Sequence, residues 1–255
     1  MKRLLIALLM VLGLVGCMGH QKRAVETPSK PSEITEIEAM RKAGSVTVAL
    51  VHEDGVADVS VYCTGVWISK DEILTAAHCM YGLAHHIGQQ LSGEDEDEIQ
   101  VDPYKMPIHY TTEKENLGVD KEPAAMHLGK LLAISTKNDL AVIKVYSQGL
   151  VEHAVAELAD SMPEVGESVI CVGHPQGMYW TYVHGSVAAY RDGMPGPGPG
   201  KEIKLIQVQA PIWFGNSGGG LFDKRGRLIG ISSFITKAPD TGMYVHRDVI
   251  KEWVK

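Results

Sequence analysis

The run Gly215-Asn216-Ser217-Gly218-Gly219-Gly220 sets a serine hydroxyl among residues without side chains, and it is the stretch of this chain best suited to chemistry. A serine hydroxyl is a poor nucleophile by itself. It attacks an acyl carbon when a general base within hydrogen-bond reach takes its proton and an acid orients that base. Glycines around it let backbone come close and aim N–H groups at a developing oxyanion. The same run also reads as a glycine-rich turn with an exposed serine, and the choice between the two depends on partners elsewhere in the chain.

A base and an acid are available. His78 ends the run Ile73-Leu74-Thr75-Ala76-Ala77-His78, followed by Cys79, and Asp139 opens the almost unbroken apolar run Leu140-Ala141-Val142-Ile143-Lys144-Val145. A carboxylate buried at the head of such a strand is costly unless a partner and hydrogen bonds satisfy it. An imidazole N–H would do so and would leave the other ring nitrogen to accept a serine proton. Each residue also has a plain structural reading, His78 as a core histidine with one hydrogen bond and Asp139 as a cap at the entrance of a strand. Asp120 is a rival acid, set in a polar stretch with no strand after it. His85, His86, His109 and His127 lack metal-ligand spacing, and Glu94 to Glu98 reads as a solvated acidic loop, so neither a metal nor a cofactor is expected.

The elements that must position these groups are short and β-rich. Strands are predicted over 46–51, 59–64, 65–68, 73–75, 131–134, 140–145, 168–173, 181–190, 203–210, 221–222, 227–234 and 242–245. Helical spacing is confined to Ile34–Ala43, stopped by Gly44, and to Asp248–Val254. Strand after strand with brief turns predicts a barrel or sandwich and excludes βαβ units. Ala154–Pro163 reads as a crossover between two halves, His174–Gly177 as a turn, and Met194–Gly200, alternating proline and glycine, as an exposed loop. Residues 82–130 show no regular pattern.

Cys63-Thr64-Gly65 followed by Ile73–Cys79 resembles the histidine block of the trypsin-like (chymotrypsin-fold) serine proteases. The Asn138-Asp139 strand resembles that family's aspartate block and the Ser217 run its serine block, and the chain order His, Asp, Ser is the order of that class. The resemblance implies an all-β fold over residues 45–255, with two antiparallel six-stranded β-barrels (about 45–153 and 164–245) and a short closing helix at about 246–255. It implies that His78 is general base and then acid, that Asp139 orients it, that Ser217 attacks, and that the N–H groups of Gly215 and Ser217 form the oxyanion hole. It further implies a Cys63–Cys79 disulfide beside the histidine. Asn216 replaces the aspartate that the digestive members use in zymogen activation, which makes the chain similar to bacterial HtrA-like members, here expected without their PDZ domain. By the same alignment Pro211 replaces trypsin's acidic residue, and Ser233, Phe234, Ile235 and Gly242 line the substrate pocket. Ile235, where a glycine often stands, implies a shallow site for small or medium apolar residues. Trp213 and Phe214 are assigned to packing.

Composition and targeting complete the expectation. A net charge of −7 with no sustained basic stripe excludes the footprint of a nucleic-acid binder. Met1-Lys2-Arg3 followed by apolar Leu4–Val15 reads as a signal peptide, too short for a membrane span. Leu14-Val15-Gly16-Cys17 resembles a bacterial lipoprotein processing box, which implies removal of residues 1–16 and acylation of Cys17; an ordinary secretory signal is the plainer alternative. In such lipoproteins Met18 favours the outer membrane of a Gram-negative cell, on the periplasmic side. Residues 17–44 form a polar tether with Pro28, Pro31 and a short helix. Export permits a disulfide, and of Cys63, Cys79 and Cys171 at most two can pair, with Cys171 packing as a small apolar residue. The chain therefore reads as a lipid-anchored serine endopeptidase acting on peptides or unfolded proteins. The alternatives are a silent trypsin-like fold that binds a peptide or protein, and an envelope lipoprotein of unrelated fold. Nothing in the sequence fixes an oligomeric state.

Overall fold

Two adjacent strands bring the histidine and aspartate segments together. In the computed structural model, which describes residues 34–53, 59–86, 108–112, 127–145, 153–195 and 202–254, β3 (Glu72–Thr75) pairs antiparallel with β6 (Leu140–Val145), Thr75 opposite Ala141. The chain leaves β3 towards His78 at the same end where it enters β6 from Asp139, so antiparallel pairing alone makes the two neighbours. The leader, Cys17, the tether to residue 33, Glu94–Glu98 and Asp120 lie outside the described residues, as do the side chains of His85, His86 and His109.

β3 and β6 belong to a closed antiparallel barrel completed by β1 (Thr47–Glu53), β2 (Val59–Trp67), β4 (Ile108–Thr112) and β5 (His127–Ser135), in the order β1-β2-β3-β6-β5-β4. A second closed barrel follows with the order β10-β11-β12-β9-β8-β7. Its strands are β7 (Ser168–Gly173), β8 (Thr181–Pro195), β9 (Glu202–Gln209), β10 (Gly220–Phe222), β11 (Leu228–Ile235) and β12 (Thr241–His246). Helices α1 (Glu36–Ser45), α2 (Ala77–His86) and α3 (Arg247–Trp253), with a single 3₁₀ turn at Pro175–Gly177, complete the described elements. The fold is the expected pair of six-stranded barrels with a short terminal helix.

The unbroken apolar runs have a packing cause. Ala141, Ile143 and Val145 face the interior of the first barrel with Trp67, Ile73 and Ile108, whereas Leu140 and Val142 face a seam shared with Ile170, Val172, Phe222 and Leu228. β7 divides in the same way, Val169 and Cys171 filling the second barrel beside Val208 and Tyr244. Both faces of these strands are buried, so neither alternates with polar residues. Cys171 packs as expected, and the Tyr244 hydroxyl donates to its Sγ at 3.2 Å. The crossover is held between the barrels, with the Ala156 N–H on Trp67 O and the Leu228 N–H on Glu157 O, both at 2.8 Å.

Several boundaries differ from expectation. Residues 59–64 and 65–68 are not two strands: β2 runs through Gly65, where a Cβ would come within 2.5 Å of Ile73 Cγ2, so this glycine marks close approach and not a break. Thr75–Cys79 does not simply end a strand run, since α2 begins at Ala77. Met194 and Pro195, expected in a loop, pair with Ile203 and Glu202 after a register shift at Gly193 (φ +68°), a bulge that lets β8 run on; residues 196–200 lie outside the described set. α1 carries a capping box, the Thr35 hydroxyl on the Glu38 N–H and the Glu38 carboxylate on the Thr35 N–H. Its Ala39 and Ala43 are buried, and Gly226 (φ +67°) gives it room, since a Cβ there would come within 2.7 Å of Ala39 O.

Cys63 of β2 and Cys79 of α2 form a disulfide across 16 residues. Closing a loop of that length in the unfolded chain is worth about 3 kcal/mol in the chain-entropy treatment. We expect the Cys63→Ala/Cys79→Ala chain to melt about 10 °C lower in differential scanning calorimetry. An unchanged Tm would show that the bridge constrains nothing the folded barrels do not already fix.

Candidate active site

Asp139 is buried and accepts from three donors. Its Oδ2 lies 2.9 Å from His78 Nδ1 and also receives the Ser233 hydroxyl, and its Oδ1 lies 3.0 Å from the His78 backbone N–H. That last bond places the carboxylate at the N-terminus of α2, where free N–H groups and the helix dipole favour negative charge. The Asp139 backbone has φ +51°, a left-handed turn that aspartate tolerates better than most residues. Because a carboxylate only accepts, the bonded nitrogen Nδ1 carries a proton, and in that neutral tautomer Nε2 is an acceptor. The His78 side chain is partly exposed while that of Asp139 is hidden beneath it.

The serine loop is held by both barrels. The Thr64 N–H donates to Ser217 O at 2.8 Å from the first barrel, and the Gly218 N–H donates to Ser232 O at 2.8 Å within the second. Gly218 (φ +80°) must be glycine: a Cβ would lie 2.1 Å from Thr75 Oγ1 and 2.3 Å from Thr64 O. The end of β3, which leads to His78, therefore touches the loop that carries Ser217.

Three successive carbonyls of this loop are occupied. Phe214 O accepts from the Gln176 N–H at 2.9 Å, Gly215 O from the Thr64 hydroxyl at 2.7 Å, and Asn216 O from the Gly219 N–H at 2.9 Å. N–H and C=O point in opposite directions across a trans peptide, so fixing Phe214 O and Asn216 O directs the N–H groups of Gly215 and Ser217 away from those partners. Among the described residues neither N–H donates to a backbone carbonyl.

A cleft of about 610 Å³ opens over these groups, lined by His78, Gly215, Ser217, Ser233, Phe234 and Ile235, with Ile212, Trp213 and Phe214 along one side and Leu83 of α2 on another. Two expected pocket residues stand elsewhere. Pro211 is exposed and outside the lining, and Gly242 is buried under Ile212, whose Cδ1 would lie 2.2 Å from a Cβ there. Ile212 thus occupies the space that an alignment assigns to Gly242. Trp213 and Phe214 are not packing residues, being 51% and 69% exposed at the cleft's edge with rings in T-shaped contact at 5.8 Å. Ser233, expected to line the pocket, also bonds Asp139; only the fold could reveal that second contact. The described His, Cys and carboxylate groups that cluster here are Cys63, His78 and Cys79, and the disulfide consumes both thiols.

The profile of the trypsin-like peptidase domain family matches residues 63–231. The chain belongs to that family. Over 116 residues it is 34% identical to Protease Do-like 5, chloroplastic, of Arabidopsis thaliana, covering 45% of this chain and 36% of that protein. Over 107 residues it is 37% identical to a DegP-like protein of Hahella chejuensis described as a periplasmic serine endoprotease, covering 42% of this chain and 22% of that one. It thus spans about a third or less of these relatives' length. The structure of the HtrA-type protease AlgW with a tripeptide superposes with a TM-score of 0.63 over 87% of this chain and 62% of that one, at 22% identity. The matched span runs from β2 of the first barrel to β11 of the second and contains His78, Asp139 and Ser217. Among the described residues no helix is long and apolar enough to cross a membrane.

Proposed function

We propose that this trypsin-like chain is a serine endopeptidase that hydrolyses peptide bonds through an acyl-enzyme on Ser217. The observation that carries the reading is the binding of His78 Nδ1 by Asp139 beside a cleft that His78 and Ser217 both line. In the reaction His78 Nε2 takes the Ser217 proton as Oγ attacks the substrate carbonyl. The N–H groups of Gly215 and Ser217 bind the oxyanion, and the imidazolium, stabilised by Asp139, returns its proton to the leaving amine. Water then repeats the sequence on the acyl-enzyme and frees Ser217. Family membership and the HtrA-type relatives support this assignment, and peptides or unfolded proteins are its substrates.

The leader resembling a lipoprotein signal and the periplasmic relative support export, with residues 1–16 removed and Cys17 acylated at the envelope of a bacterial cell, residues 17–44 serving as tether and 45–255 as peptidase domain. The decisive experiment treats the folded chain with a fluorophosphonate probe and maps the adduct by mass spectrometry. A single adduct on Ser217, absent when the chain is heat-unfolded before treatment, is expected. No adduct on the folded chain would favour the silent binding fold instead.

Cleavage specificity follows from the lining. Ile212, Phe234 and Ile235 line the cleft beside Ser217, and among the described residues no acidic side chain lines it. A peptide library is expected to show cleavage after small or medium apolar residues, since burying a charged side chain against these groups without a partner is costly. Strong preference for Lys or Arg would contradict the assignment.

A further inference from the structure

One buried imidazole has no part in the proton transfers above. His174, at the turn between β7 and β8, is fully buried, its ring edge-on to Trp180 with centroids 4.7 Å apart. Its Nδ1 lies 2.9 Å from Thr64 Oγ1, the same hydroxyl that donates to Gly215 O at 2.7 Å. Thr64 has a single hydroxyl proton and a carbonyl can only accept. The assignment that satisfies both contacts therefore puts the Thr64 proton on the Gly215 side and a proton on His174 Nδ1, which donates to Thr64. Nε2 is left as a buried lone pair without a hydrogen-bond partner among the described residues. Burial pushes the pKa of the ring down to about 3, so it is neutral under all ordinary conditions and can hold this one-way chain of donors.

The rest of the turn touches the same loop. His174 O is the atom a Cβ on Gly215 would strike at 2.2 Å, and the Gln176 N–H, on a residue with φ +52°, holds Phe214 O. The two carbonyls fixed from this turn, Phe214 O directly and Gly215 O through Thr64, flank the Gly215 residue whose N–H faces the developing charge.

We infer that His174 is a positioning residue for the oxyanion site: through Thr64 it fixes the Gly215 carbonyl and, with the neighbouring Gln176 N–H, keeps the Gly215 and Ser217 donors aimed for the transition state. The inference rests on the peptidase reading. It predicts a particular kinetic defect, because oxyanion donors act on charge that develops during reaction and contribute little to ground-state binding.

The test measures phosphonylation of the full-length chain by a fluorophosphonate probe, separating the limiting rate kinact from the half-saturating concentration KI. His174→Leu removes the donor, Thr64→Val removes the relay while keeping its backbone bond to Ser217, and His174→Asn restores a side-chain N–H near the position of Nδ1. Leu and Val variants are expected to lose about 10- to 100-fold in kinact with KI unchanged, and the Asn variant to recover most of the loss. Wild-type kinact in a cooperatively folded His174→Leu chain would overturn the proposal. If that chain does not fold, Thr64→Val decides: a wild-type kinact overturns the proposal and a reduced one supports it. Absence of Ser217 labelling in the wild-type chain is a different failure, of the peptidase reading itself, and the inference falls with it.

Discussion

Alanine at Ser217 will lower peptide hydrolysis about 10⁶-fold, the scale set by removing the nucleophile of a serine protease, and leave the thermal melt unchanged. The two halves of that expectation have separate causes. The bonds that hold the loop are made by backbone, the Thr64 N–H to Ser217 O and the Gly218 N–H to Ser232 O, and a methyl in place of the hydroxymethyl keeps both. What disappears is the single oxygen that could form an ester with the acyl group, so His78 has no proton to take. Turnover of a chromogenic peptide with an apolar residue before the scissile bond measures the loss, and more than about a thousandth of wild-type activity would mean that another group serves as nucleophile.

Asparagine at Asp139 will lower kcat about 10⁴-fold with a much smaller change in KM. The carboxylate uses both oxygens as acceptors, Oδ2 for His78 Nδ1 and the Ser233 hydroxyl and Oδ1 for the His78 N–H. An amide has one oxygen. If its NH₂ takes the Oδ1 position it meets the His78 N–H, donor against donor. The less costly arrangement keeps the oxygen there and turns NH₂ towards the ring, which must then accept at Nδ1 and carry its proton on Nε2. That tautomer cannot accept from serine. Ser233 can rotate to accept, and asparagine tolerates the left-handed backbone at this position, so the fold survives and the loss is chemical. Steady-state kinetics with a single peptide separate the two constants, and a kcat within tenfold of wild type would show that Asp139 does not orient the base.

Much of this arrangement was legible because local sequence and the fold agree at the blocks concerned. Leu140–Val145 and Ser168–Gly173 are apolar on both faces because one face fills a barrel and the other fills the seam, and their residue types alone mark both as strands. The Asn138-Asp139 pair marks the entrance of a strand, and the Asp139 carboxylate is buried there. Side-chain direction was not legible. Ile212 fills the space over Gly242, and Trp213 and Phe214 face outward, because the loop's course between β9 and β10 decides where each residue points, and no periodicity encodes that course. Helix α2 was missed because Thr75–Cys79 reads equally well as the end of a strand; the Asp139 carboxylate that caps it comes from 61 residues away. His174 and Thr64 gave no separate signal either, since they meet across 110 residues.

The bond from Thr64 to Ser217 O and the contact of Gly218 with Thr75 join a loop of one barrel to strands of the other. Hydrolytic capacity on this plan is a joint possession: either half could keep its strands intact and still be inert once the halves slid apart by the width of a hydrogen bond. On the proposed mechanism the apolar seam along Val142, Ile170 and Leu228 is a functional part as much as a structural one, because it sets the alignment that a shared site needs.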